Sequence, residues 1–252
     1  LVGSEMCIRD STSAAQAATW IKDGMTVGMS GFTRAGDAKA VPLAVADRAR
    51  EETLKITVIT GASLGGDTDR QLTESGALAR RMPFQTDPAL RAAINKGEVM
   101  FIDQHLSETV ELLRTGQIAP IDVAVIEAVA ITETGGIVPT TSVGNSASFA
   151  ILADKVIVEI NTSMSPALEG LHDIFIPKRR PNREPMPLAG VSDRFGTQAI
   201  EIPPEKIVAI VFTDKPDSAS TILPPDAETA AIAGHLIDFF VEEIAQGRLT
   251  ES

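Results

Sequence analysis

Six short runs of mostly apolar residues recur along the chain: Met25–Ser30, Leu54–Thr60, Val99–Asp103, Ile121–Glu127, Lys155–Ile160 and Ile207–Phe212. They are rich in Val and Ile and almost unbroken by polar residues. Strand-length runs of this kind belong to strands buried on both faces, as in a parallel sheet covered by helices. Helical patterns fall between them, at Ser13–Asp23, Pro42–Glu52, Asp87–Lys96, Ser107–Thr115 and Asn145–Ala153. Gly24, Gly97 and Gly116 stand just past three of these, where a residue free to take positive φ closes a helix. The expected fold class is therefore α/β, an open, mainly parallel sheet flanked by helices on both faces.

Three further segments refine the expectation. Ile131–Ile137 predicts a hairpin, with Gly135 and Gly136 supplying the positive φ of a tight turn, so the sheet is expected to be mixed. Asn161–Pro204 carries seven prolines and a basic cluster, Lys178, Arg179, Arg180 and Arg183, and predicts a long irregular excursion. Asp226–Gly247 predicts a closing amphipathic helix with Ile232, Leu236, Phe239, Phe240 and Ile244 on one stripe.

The 252 residues, 44% of them hydrophobic, suffice for one large core. A net charge of −12 supplies no overall basic face for phosphate neutralisation, so nucleic acid is not an expected partner; small molecules or other protein chains are. No apolar run approaches the roughly 18 residues that cross a bilayer, and no signal peptide is apparent at the start. A cytoplasmic protein without a membrane partner is the expectation. The single Cys7 cannot pair within the chain, and His105, His172 and His235 lack metal-ligand spacing. Neither a metal nor a permanently bound cofactor is expected.

Ligands of open α/β sheets bind beyond the carboxyl ends of the strands. Three loops there carry glycines that let backbone approach a ligand closely: Gly31–Gly36, Gly61–Gly66 and Ser142–Ser146. Gly31 and Gly36 have the outer spacing of a phosphate-binding P-loop, but Asp37 stands where that motif requires lysine. Taken singly, each loop is equally a tight strand-to-helix turn.

Candidate reactive groups are few. Ser30 has neither the flanking spacing of a nucleophile elbow nor a nearby His and Asp. Glu127 and Glu159 sit in apolar runs, where desolvation raises a carboxyl pKa; each is a candidate general base or nucleophile, or a hydrogen-bonded pocket wall. Asp103 and His105 suit a helix cap better than a proton shuttle. The cluster from Lys178 to Arg183 suits phosphates of a nucleotide-like ligand or, equally, a solvated or intersubunit loop.

Several ordered blocks carry a resemblance. Lys22-Asp-Gly-Met-Thr-Val-Gly-Met-Ser-Gly-Phe-Thr33, Thr60-Gly-Ala-Ser63, Arg80-Arg81 with Asn95-Lys-Gly-Glu98, Asp103-Gln-His-Leu-Ser107, Ile121-Asp-Val-Ala-Val-Ile-Glu-Ala128, Pro139-Thr-Thr-Ser-Val-Gly-Asn145 and Glu169-Gly-Leu-His-Asp-Ile174 resemble the acetyl-CoA hydrolase/transferase family. Succinyl-CoA:acetate CoA-transferases, which are class I CoA-transferases, belong to it. The resemblance runs from about Thr12 to Leu249.

It implies a CoA-transferase-like fold with two similar α/β domains in one polypeptide, this chain corresponding to the first. It also implies an enzyme that moves CoA between an acyl-CoA and a short carboxylate through a glutamyl-CoA thioester, with coenzyme A as substrate. In the family, the nucleophilic glutamate and a CoA-receiving Gln-Ser-Gly-Val-Gly loop follow the segment matched by Gly247-Arg248-Leu249. No catalytic residue is therefore assigned in this chain; the glutamate is expected beyond Ser252, in a C-terminal domain that would be the missing partner, and the full-length protein is expected to form a homodimer. The positions carried over are Gly31, Phe32, Gly61, Ala62, Ser63, Ser142, Val143, Gly144 and Asn145, as one wall of an acyl and carboxylate pocket. Acetyl-CoA hydrolysis, or a non-catalytic subunit or binding module, stand as alternatives. A sugar-phosphate isomerase of similar fold would need a phosphate loop that is not evident. Leu1–Asp10 resembles nothing in the family and is expected to be a non-native tail, leaving 11–252 as the domain.

Overall fold

The computed structural model describes residues 11–186, 190–219 and 221–250; the tail set apart above lies outside them. The chain divides into two units, Leu1–Ala219 and Ser220–Ser252, where the sequence alone suggests one domain over 11–252.

The first unit is built on one sheet. Its strands are β1 (Thr26–Met29), β2 (Ile56–Thr60), β3 (Leu78–Met82), β4 (Met100–Phe101), β5 (Val123–Ile131), β6 (Ile137–Pro139), β7 (Lys155–Asn161) and β8 (Ile207–Thr213). The order across the sheet is β4-β3-β2-β1-β5-β7-β8, all parallel, while β6 pairs antiparallel with β5. The helices are α1 (Ala14–Ala18), α2 (Ala40–Glu51), α3 (Thr68–Glu74), α4 (Pro88–Asn95), α5 (Leu106–Arg114) and α6 (Ser146–Leu152). Two buried apolar clusters line the two faces of the sheet. Val27, Val45, Ile56, Leu72, Val123 and Ile157 belong to one, and Ile59, Ile121, Ile126, Phe149, Val158 and Ile210 to the other. Adjacent residues of one strand thus serve opposite faces, which is why the strand runs read as continuously apolar.

Departures from the expected elements have local causes. β3, Leu-Ala-Arg-Arg-Met, is absent from the apolar runs because two arginines mask it. Arg81 is fully buried, with its guanidinium paired to Asp69 of α3 at 2.9 Å. Helix α1 ends at Ala18, where the Thr19 hydroxyl and amide both bond back to the Gln16 carbonyl. Gly24 therefore closes no helix, whereas Gly97 and Gly116 close α4 and α5 with positive φ and amides directed at the Ile94 and Leu113 carbonyls. The hairpin forms as β5 and β6, but of its two glycines only Gly135 has positive φ (86°). β5 runs on to Ile131, so Glu127 lies within a strand rather than at its end.

The excursion after β7 is irregular, with a 3-10 turn at Pro166–Leu168 and single bridges Ile174 to Thr197 and Ile137 to Ile200. The second unit contains α7 (Ala227–Ala245), whose N-terminus is capped by the Asp226 carboxylate accepting from the Thr229 amide at 2.8 Å. Among the described residues no helix is long and apolar enough to cross a membrane.

Candidate functional site

The parallel strands bring their carboxyl ends to one edge of the sheet. The β5–β6 hairpin matters here because β6 runs back until Pro139 pairs with Ala128, which returns the chain to that edge before α6 begins. Four loops consequently meet there, after β1, β2, β6 and β8.

Their contact is close. A Cβ added to Gly61 would lie 2.7 Å from the Gly31 carbonyl oxygen and 3.4 Å from the Asn145 amide nitrogen. One added to Gly144 would lie 3.6 Å from both the Gly31 oxygen and the Phe32 Cβ. The glycines are thus what lets the three loops touch. Ser142 donates its hydroxyl to the Ala35 carbonyl at 2.7 Å, joining the first loop to the third. Phe32 is exposed, whereas Ala62 and Ser63 are buried; the Ala62 carbonyl accepts from the Thr60 hydroxyl and from Arg81. Val143, Gly144 and Asn145 line a cavity of about 380 Å³ that is closed on its other sides by Glu111, Arg114 and Arg183 among others. Of the nine positions singled out, Gly31, Phe32, Gly61, Gly144 and Asn145 converge, Ser142 braces them, Val143 faces the cavity, and Ala62 and Ser63 turn into the protein.

Beneath the loops lies a buried charged hub that the sequence only half reveals. The Lys39 ammonium donates to Glu127 Oε2 at 2.6 Å, to Asp217 Oδ1 at 2.9 Å and to the Asp37 carbonyl at 2.8 Å. Glu127 also accepts from Thr140 Oγ1 at 2.7 Å and Asn161 Nδ2 at 3.0 Å. Glu159, its neighbour in register on β7, accepts the Lys39, Ala40 and Val41 amides at 2.6 to 3.1 Å and so caps α2. A buried carboxylate is tolerated there because it satisfies amides that the first turn of a helix leaves unpaired.

Burial drives the electrostatics of the hub. It pushes Glu127 up to about 7, against the pull of Lys39, Thr140 and Asn161. It likewise raises Asp37, opposed by Lys39, and Glu159, opposed by the α2 amides. Burial acts to lower Lys39, but Asp37, Glu127 and Asp217 outweigh it and hold the ammonium charged. For Asp217, burial is outweighed by bonds from Thr141 and Lys39, which keep its carboxyl below the usual range. The two glutamates considered as nucleophiles are therefore each engaged by three or more donors.

Three of the four residues of the basic cluster are paired. Arg180 pairs with Glu108 and Arg183 with Glu111, both on α5, while Lys178 pairs with Glu184 within the excursion. Arg114 of α5 bonds both Glu111 and the Pro177 carbonyl. These contacts clasp the excursion onto α5 and leave the cluster as a fastening rather than an open phosphate site. His105 is the N-cap residue of α5, as its place in the sequence suggests, although its side chain makes no capping bond.

Comparison with known proteins is decisive at this point. Residues 7–212 match the model of the acetyl-CoA hydrolase/transferase N-terminal domain. The chain belongs to that family. The matched range begins within the segment Leu1–Asp10. The chain is 41% identical over 238 residues to a succinyl-CoA:acetate CoA-transferase of Clostridium kluyveri, covering 94% of this chain and 44% of the relative. It is 38% identical over 242 residues to a propanoyl-CoA:succinate CoA transferase of Escherichia coli, covering 94% and 49%. It is 40% identical over 251 residues to an acetyl-CoA hydrolase of Schizosaccharomyces pombe, covering 96% and 48%. The chain therefore spans about half the length of these relatives. Among solved structures, RipA from Yersinia pestis shares the fold of this acetyl-CoA hydrolase/transferase domain, with a TM-score of 0.64 at 18% identity over 92% of this chain and 49% of RipA. A variant of the decarboxylase AibA/AibB also shares it, with a TM-score of 0.54 at 16% identity over 90% of this chain and 93% of the matched chain.

Proposed function

We propose that this chain is the N-terminal half of an enzyme that transfers CoA between an acyl-CoA, such as succinyl-CoA or acetyl-CoA, and a short carboxylate such as acetate. It would supply one wall of the active site while the acyl-accepting glutamate comes from the other half. The observation that carries this is the meeting of the Gly31, Gly61 and Gly144 loops at the carboxyl edge of the sheet, in a family whose relatives are CoA-transferases and acetyl-CoA hydrolases. Backbone groups brought so close can approach a planar carboxylate or thioester without side chains intervening. Behind them Asn145 carries a buried side-chain amide nitrogen that has no partner among the described residues. Glu127 and Glu159 are held by Lys39 and by the start of α2, so neither is free to attack an acyl group, and the covalent step needs a carboxylate outside the described residues.

Coenzyme A is then a substrate rather than a resident cofactor, and the whole enzyme works in the cytoplasm as a homodimer. Hydrolysis is the second reading, favoured by the name of the Schizosaccharomyces pombe relative; water would replace the acceptor acid. The test is to express this domain joined to a family C-terminal half and follow acetyl-CoA formation from succinyl-CoA and acetate. Acetate-dependent acetyl-CoA formation is expected. Rapid thioester loss without an acceptor would favour hydrolysis, and no turnover of either kind would sink both readings.

A further inference from the structure

The Asp217 carboxylate sits in a nest of donors drawn from three places in the chain. Its Oδ1 accepts the Gly36 amide at 3.1 Å and the Lys39 ammonium at 2.9 Å, and its Oδ2 accepts the Thr141 hydroxyl at 2.6 Å. Glycine suits the position that presents the Gly36 amide. Its φ is +65°, and a Cβ there would fall 2.7 Å from Ser142 Oγ. The occupant, in contrast, belongs to no strand or helix. Asp217 lies on the irregular segment after β8, which is otherwise tied by Asn161 Nδ2 to the Lys215 carbonyl and by the Gly66 amide to Ser218 Oγ. Its side chain keeps 14% of its surface exposed, against 0% for Glu127 on the other side of the same ammonium.

We propose that the Gly36 amide, the Thr141 hydroxyl and the Lys39 ammonium form a cradle for the carboxylate of a small monocarboxylic acid, which Asp217 fills as an internal ligand until the acid replaces it. This rests on the function proposed above, in which such an acid is a substrate. Three physical points support it. The exchange is neutral in charge: one carboxylate leaves as another arrives, so the Gly36 amide, the Thr141 hydroxyl and the Lys39 ammonium keep an acceptor throughout. A cavity of about 180 Å³ adjoins the cradle, lined by Asp37, Lys39, Leu43, Gly65, Lys215 and Ser218, and gives room for a short tail. Asp37 and Glu127 flank the ammonium and repel a second carboxylate, so a monoacid is preferred over a diacid.

An internal ligand weakens the apparent affinity for an external one by the fraction of time that it is away. The test is therefore titration of the isotopically labelled 252-residue chain with acetate, with sodium chloride at matched ionic strength as the control, read by amide NMR. A saturable shift of the Gly36 amide under acetate alone is expected in the unaltered chain, with succinate weaker. In Asp217→Ala the affinity for acetate should rise about tenfold or more, equivalent to about 1.4 kcal/mol. If that variant does not fold, Asp217→Asn removes the charge with little change of shape and should show the same direction. A Gly36 amide indifferent to acetate in the unaltered chain, or acetate affinity in the folded variant no higher than in the parent, would overturn the proposal. The readout needs no turnover. An inert joined enzyme would sink the proposed function without touching the cradle, and an active enzyme whose Gly36 ignores acetate would sink only the cradle.

Discussion

Replacing Lys39 by methionine removes the cation of the hub while keeping the length of its stem. Glu127 Oε2, Asp217 Oδ1 and the Asp37 carbonyl would each lose a donor now 2.6 to 2.9 Å away. Breaking a buried ion pair from one side costs about 3 to 5 kcal/mol, which for a unit of this size lowers the melting temperature by about 6 to 20 °C. The loss should also depend on pH. Glu127 titrates near 7 in the folded chain against 4.5 when free. A carboxyl whose folded pKa is raised contributes fully below the unfolded value and loses that contribution as pH rises through the folded one. Without the ammonium its pKa rises further, so Lys39→Met should be least harmful near pH 5, where Glu127 is protonated, and most harmful near pH 8. Urea unfolding of parent and variant at the two pH values measures this. Adding Glu127→Gln to Lys39→Met should recover part of the loss at pH 8. A loss below about 1 kcal/mol at pH 8, or an equal loss at both pH values, would refute the account of the hub.

Other substitutions probe the remaining features. Gly61→Ala would press a methyl group against the Gly31 carbonyl and should cost about 1 to 3 kcal/mol in urea unfolding; a neutral result would mean that the loops are not packed as described. Arg81→Met would strand the buried Asp69 carboxylate at about 3 to 5 kcal/mol, and Arg81→Met combined with Asp69→Asn should be less unstable than Arg81→Met alone by differential scanning calorimetry. Glu111→Gln weakens the contacts to Arg114 and Arg183, and trypsin should then cut the Lys178–Arg183 segment faster, at unchanged global stability; unchanged cutting would show that the clasp does not restrain it.

The framework of this domain was legible because its strands obey one simple rule. Val27, Val58, Val125, Ile157 and Ile210 sit in apolar runs that no exposed strand would carry, and each run forms a parallel strand. β3 escaped that rule because Arg81 is buried by an ion pair, and hydropathy counts a guanidinium as exposed whether or not a carboxylate meets it. The hub was legible in outline only. Glu127 and Glu159 stood out as carboxylates in apolar runs, each open to a reading as a reactive group or a hydrogen-bonded wall, and the sheet sets them side by side. Lys39 supplies the ammonium to one and α2 supplies its amides to the other, but sequence distance concealed both: 88 residues separate Lys39 from Glu127 and 118 separate Val41 from Glu159. The family blocks exposed the three glycine loops, whereas Asp217 lay outside every motif considered.

The cap on α2 has a consequence for ligand choice. In many α/β proteins the helix that follows the first strand directs its free amides at a phosphate. Here the Lys39, Ala40 and Val41 amides already hold Glu159, so that attractive end is sealed from within. At α2, a multiply charged phosphate would meet a buried carboxylate in place of open amides. A singly charged planar group can be matched by the few amides and hydroxyls that the loops present. At α2 that exclusion is set within the fold, by a glutamate two strands away from the Gly31 loop.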